Sequence, residues 1–196
     1  RGLVGSEMCI RDRAWDNRIG VAVAIEVLKA AATEGHQTTL FAGANVQEEV
    51  GLRGAKGATH LLKPDLTIAL DTGTAGDTPG MTLDEADSVL GKGPQVLIYD
   101  ASMIPHKGLR DFVIRIAEEE GIPFQYTTIK GGGTDAGSQH TSLDGIPSIA
   151  ITVPVRYLHS HTSIIHEDDY RHTVKLVKAI LARLNQETLA EIHAGV

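Results

Sequence analysis

Four carboxylates and one imidazole, far apart along the chain, are of types that bind divalent cations: Asp16, Glu48, Glu49, Asp71 and His159. Asp16 lies just before an expected helix. Glu48 and Glu49 follow an apolar β-rich run ending at Val46, and Asp71 follows another ending at Leu70. His159 lies a few residues past a third, ending at Val153. In open α/β sheets ligands bind beyond the carboxyl ends of the strands, so four separate segments are expected to deliver these groups to one edge. Carboxylates at close range repel, so either some stay protonated or a cation sits among them. Mixed carboxylate and imidazole donors suit zinc, cobalt or manganese. Two such ions about 3.5–4 Å apart need a shared carboxylate. Taken singly, each residue has a plainer reading. An aspartate at a strand end is commonly a cap or turn residue, a Glu-Glu pair a solvated face, and a lone histidine a hydrogen-bonded surface group. His161 and His166 compete with His159 for a metal role.

The run Gly131-Gly132-Gly133, followed by Thr134 and Asp135, allows close backbone approach and positive φ. One reading is a turn feeding a helix capped near Thr134 or Asp135. The other is that Gly132, Gly133, Thr134 and Asp135 line a substrate pocket. No Lys-Ser or Lys-Thr follows, which argues against a phosphate cradle. Arg53 and Arg156 stand as either substrate contacts or surface ion pairs.

Alternating helices and strands must position these groups. Asn17–Gly35 reads as a helix, with Ile19, Ala22, Val23, Val27 and Ala30 at helical spacing and Gly35 as a left-handed stop. Thr38–Val46 reads as a strand buried on both faces. A weak helix over Leu52–Leu62, broken at Pro64, leads to a buried strand at Leu66–Leu70. Gln95–Tyr99 is an expected strand, Leu109–Glu120 a helix, and Phe124–Ile129 and Ser148–Val153 further strands. Asp168–Asn185 closes the series as an amphipathic helix with Val174, Val177, Ile180, Leu181 and Leu184 inward. This alternation implies an α/β layered fold with a mainly parallel sheet. Residues 72–93 form the longest irregular stretch, and loops of that length are often functional. Residues 1–13 show no clear period and join abruptly to AWDNRIG, so they are expected to be a foreign or disordered leader.

The chain has 196 residues, 42% of them apolar, enough for one domain with a sizeable core. A net charge of −7 argues against nucleic acid or an anionic membrane surface as partner. One cysteine, Cys9, permits no internal disulfide or thiolate metal site, which points to the cytoplasm. No apolar run approaches the roughly 20 residues that span a bilayer.

AWDNRIG, NVQEEVGLRGA, IALDTG, GGGTDAG and VPVRYLHS occur in that order. In this the chain resembles family forty-two of the metallo-aminopeptidases over roughly residues 14–190. The resemblance implies a three-layer α/β/α fold of the di-zinc exopeptidase type and two divalent metal ions per subunit. It makes Asp16 the bridging carboxylate and Glu48 the general base. Glu49 and His159 would hold the first metal, and Asp71 the second. Peptides are the implied substrates, and the family assembles as homo-oligomeric dodecamers. The family's second metal also takes a histidine from the N-terminal part of the catalytic domain. No segment before Asp16 matches that motif, nor the family's small inserted β domain. The first strands of the sheet are therefore expected to be missing, leaving an edge prone to aggregation.

Two other readings stand beside the peptidase. An incomplete site would bind one metal or none and do no chemistry. A glycosidase is suggested by the cellulase label of some family members and would use two carboxylates without a metal. One tryptophan and few aromatics offer little for sugar stacking.

Overall fold

A computed structural model describes residues 8–82 and 84–195. A strand, β1 (Cys9–Asp12), leads into α1 (Trp15–Glu34) and α2 (Arg53–Leu62), then β2 (Thr67–Thr74) and β3 (Gln95–Asp100). Next come α3 (Lys107–Glu119), β4 (Gln125–Ile129), α4 (Asp135–Gln139) and β5 (Ser148–Val155). The chain ends with β6 (Ser163–His166), α5 (Glu167–Arg183) and α6 (Gln186–Ala194). The main sheet has the order β2-β5-β3-β4. Strands β2/β5 and β3/β4 pair in parallel, whereas β3 runs antiparallel to β5. The sheet is therefore mixed, with parallel pairs joined antiparallel at its centre.

Strand β5 is buried along its whole length, as its predominantly apolar run demands. Its alternate residues feed two cores. Ile149 and Ile151 join Val23, Val27, Leu109, Phe112, Leu176 and Ile180 from α1, α3 and α5. Ala150 packs with Ala69, Leu97 and Ala136 on the opposite face, where α2 and α4 lie. Helices on both faces give the expected three layers.

Four expectations change. Thr38–Val46 forms no ladder, and Phe41 and Val46 are exposed. A strand exists only when a neighbour accepts its backbone groups, and no described segment does so here. Strand β2 continues to Thr74, so Asp71 sits within it rather than after it. The helix over residues 17–35 gains Trp15, but Asp16 and Asn17 have non-helical φ/ψ. Finally, Cys9–Asp12 of the expected disordered leader pairs antiparallel with Ser163–His166; residues 1–7 lie outside the described residues.

Helix α1 sits tightly on β2. A Cβ at Gly20 would fall inside the contact distance of Leu70 O and Asn17 Oδ1. Gly20→Ala is therefore expected to cost about 1–3 kcal/mol of unfolding free energy. A urea midpoint equal to that of the parent chain would contradict this close approach.

Candidate metal centre

The non-helical start of α1 places Asp16. Asn17 Nδ2 donates to Leu70 O at 2.8 Å, and Asn17 Oδ1 accepts from Gly20 N at 2.9 Å. One side chain thus caps the regular helix and ties Asp16 to the strand that carries Asp71. The glutamates are set by a tight turn. Glu48 O accepts from Gly51 N at 3.1 Å and Leu52 N at 2.9 Å, with Gln47 at φ 60°. Gly54 N closes the turn by donating to Val46 O at 3.0 Å, an approach that a side chain at Gly54 would block.

His159 lies on the turn after β5 with φ 56°, and Tyr157 has φ 60°. Left-handed backbone costs roughly 1–2 kcal/mol at a non-glycine residue, so two in one turn need external anchors. From that turn His159 Nε2 lies 3.2 Å from Asp16 Oδ2 and 3.4 Å from Glu49 Oε2. One donor atom from each of Asp16, Glu49 and His159 falls within 4.8 Å of the others. Among the described residues this is the group that could hold a metal, and it opens on a cavity of about 470 Å³ shared with Arg13, Ser160 and His161. His161 lines the cavity without joining the group, and His166 instead accepts from Asp168 N as the cap of α5.

Glu48 and Asp71 stand outside the convergent group but within its electrostatic reach. Burial raises the Glu48 carboxyl to about 7, helped by the Glu49, Asp135 and Asp16 carboxylates and opposed by His159. Burial likewise lifts Asp71 to about 8, with Glu48, Asp16 and Asp135 adding to it. The Thr72 N–H, 2.8 Å from Asp71 Oδ1, pulls the other way. Glu49 is raised by its hydrogen bond with Asp16 and by burial. So many carboxyl groups held above their ordinary range mark an excess of negative charge that a divalent cation would relieve. The donor set, carboxylate and imidazole, fits zinc-like ions.

The glycine run follows β4. Thr134 caps α4 by its backbone, and both its Oγ1 and Asp135 Oδ1 are buried without a partner. Asp135 Oδ2 accepts from Asn45 Nδ2 at 2.8 Å, which links this loop to the glutamate turn. Sequence reasoning missed Asn45, although it stands inside the motif NVQEEVGLRGA. Gly133 and Gly137 press on Ser102 Oγ so closely that neither has room for a Cβ. Arg53 is exposed, and Arg156 pairs with Asp77.

The family model for M42 glutamyl aminopeptidase matches residues 3–176. The chain belongs to this M42 family. The match takes in residues 3–13, which the five motifs leave uncovered. The glutamyl aminopeptidase of Lactococcus lactis is 40% identical over 183 residues, covering 93% of this chain and 50% of that protein. A TET aminopeptidase from the marine sediment archaeon Thaumarchaeota archaeon SCGC AB-539-E09 superposes with TM-score 0.91 at 40% identity, over 94% of this chain and 52% of that one. The Pyrococcus horikoshii TET1 peptidase, which can assemble into a tetrahedron or a large octahedral shell, gives TM-score 0.77 at 34% identity. That match covers 90% of this chain and 51% of the TET1 chain. The chain thus spans about half the length of the M42 relatives it matches. Their α/β architecture is the one described above.

Proposed function

We propose that this chain carries the catalytic centre of a metal-dependent aminopeptidase that releases N-terminal residues from peptides. The observation that carries the proposal is the convergence of Asp16, Glu49 and His159 beside two carboxyl groups raised to about 7 and 8. Asp16 would be shared between two divalent ions, with Glu49 and His159 on one and Asp71 on the other. Zinc or cobalt fits best, and manganese is also compatible. When bound, such ions supply Lewis acidity and a water that ionises near neutral pH.

Glu48 does the proton work. Its carboxyl, pushed upward by burial and by neighbouring carboxylates, can take a proton from the attacking water and return it to the leaving amine. Gly132, Gly133, Thr134 and Asp135 would line the substrate pocket, a role supported by the hydrogen bond of Asp135 with Asn45, beside the glutamate turn. Homo-oligomeric assembly is carried over from P. horikoshii TET1. A cytoplasmic location accords with the single cysteine. Among the described residues no helix is long and apolar enough to cross a membrane.

A second reading, a metal bound without turnover, is favoured by Asp71 lying outside the convergent group. A panel of aminoacyl-p-nitroanilides with zinc, cobalt or manganese separates the two. The expected result is turnover abolished by chelator and restored by metal. Metal binding without turnover would establish the second reading, and turnover indifferent to chelator would sink both.

A further inference from the structure

We infer that the Asp77–Arg156 ion pair is a positioning device for His159, holding the turn that carries the imidazole against the loop after β2. The inference rests on the metal-centre reading above. Arg156 opens the turn. Its backbone N donates to Ile164 O at 2.9 Å, and Ile164 N returns a bond to Arg156 O at 3.1 Å. Between these closing bonds the chain passes through left-handed Tyr157 and His159. Such backbone persists only where the surroundings over-determine it.

Three anchors do so. The Leu158 side chain packs on the cluster of Ile19, Val153, Val155 and Ile165. Ser160 Oγ lies 2.6 Å from Tyr157 O and 2.8 Å from Thr162 O, strapping the turn to itself. The Arg156 guanidinium alone of the three reaches the loop over residues 75–94, where it pairs with Asp77. Both partners are largely withdrawn from water, at 30% and 26% exposed. Asp77 sits on a firm base. Its Oδ1 accepts from Leu90 N at 3.4 Å, Gly76 N donates to Ser88 O at 2.7 Å, and Ala75 N donates to Val155 O at 2.9 Å. The ion pair therefore joins the segment leaving the Asp71 strand to the segment leaving the strand before His159. Release of that tie lets the strained turn relax, and His159 Nε2 leaves its place beside Asp16 and Glu49. Arg156 touches none of those donor atoms and acts through His159.

The test is zinc affinity, measured by competition with a chromophoric chelator. The proteins compared are the parent, Arg156→Gln, Asp77→Asn, His159→Ala and the Arg156→Gln/His159→Ala double variant. Arg156→Gln and Asp77→Asn are each expected to weaken zinc binding about tenfold or more, as losses of ligand-orienting partners do. With His159 already replaced, Arg156→Gln should cost no further affinity. A purely structural role would instead add its loss in the double variant, and that result overturns the inference. So does full zinc affinity in both Arg156→Gln and Asp77→Asn. If His159→Ala binds zinc as tightly as the parent, the metal-centre reading itself falls and takes this inference with it. Asp77→Asn keeps the side chain's shape and carries the test if Arg156→Gln does not fold.

Discussion

Glu48→Gln is expected to lower kcat for aminoacyl-p-nitroanilides by about 10²–10⁴-fold in the metal-loaded protein, the usual loss when a general base is removed. Zinc affinity should stay as it is, because Glu48 is not among the convergent donors Asp16, Glu49 and His159. The amide of glutamine keeps the size and hydrogen-bonding reach of the carboxyl but cannot accept a proton from water at neutral pH. Glu48 is also one of the groups that raise Asp71. The variant should therefore ease the crowding of charge, and a slightly higher thermal midpoint after chelation would accompany the lost turnover. Unchanged kcat would remove Glu48 from the proton-transfer role.

The second large effect concerns stability and pH. In the chelator-treated protein the thermal midpoint is expected to fall steadily as pH rises from about 4 to about 8. The sign follows from proton linkage. Asp71 ordinarily titrates at 3.8 and does so in the unfolded chain, whereas burial holds it protonated to about 8 in the fold. Glu48 shifts in the same sense, from 4.5 to about 7. Between those values the folded state binds more protons than the unfolded state, so stability drops with rising pH. For buried Asp71 the loss is on the order of a few kcal/mol across the window. Adding zinc or cobalt should flatten the curve, because a cation among the carboxylates replaces the proton as compensating charge. Asp71→Asn should make it shallower without metal, since the replaced group no longer titrates and only the smaller Glu48 share remains. Differential scanning fluorimetry at a series of pH values checks both. A flat curve in the parent after chelation would mean that these carboxyl groups are not crowded.

Much of the architecture was legible along the chain. Ser148–Val153 is apolar at every position but Ser148 and Thr152, and only a strand covered on both faces hides such a run. Gly35 ends α1 where the helical period stops, with φ 78° and ψ 159°, a positive-φ conformation open to glycine but not the left-handed helical one expected. These are local signals: a hydrophobic period and a residue type that alone suits a given φ. The same period misleads at Thr38–Val46, which reads as a strand but pairs with nothing described. Whether an extended segment becomes a strand is decided by a partner elsewhere, and its own residues do not specify that partner.

The chemistry divides in the same way. Residue type and order alone pointed to a candidate donor set and to the family to which the five motifs belong. The tertiary structure decided which donors meet. It brought Asp16, Glu49 and His159 together and left Asp71 within β2, where the charges of Glu48, Asp16 and Asp135 reach it. It also set the ties that hold these groups: Asn17 on Leu70 O, Asn45 on Asp135, and Asp77 on Arg156. Each joins positions more than fifty residues apart. No periodicity or local spacing encodes such a pair; it exists only once the layers have packed.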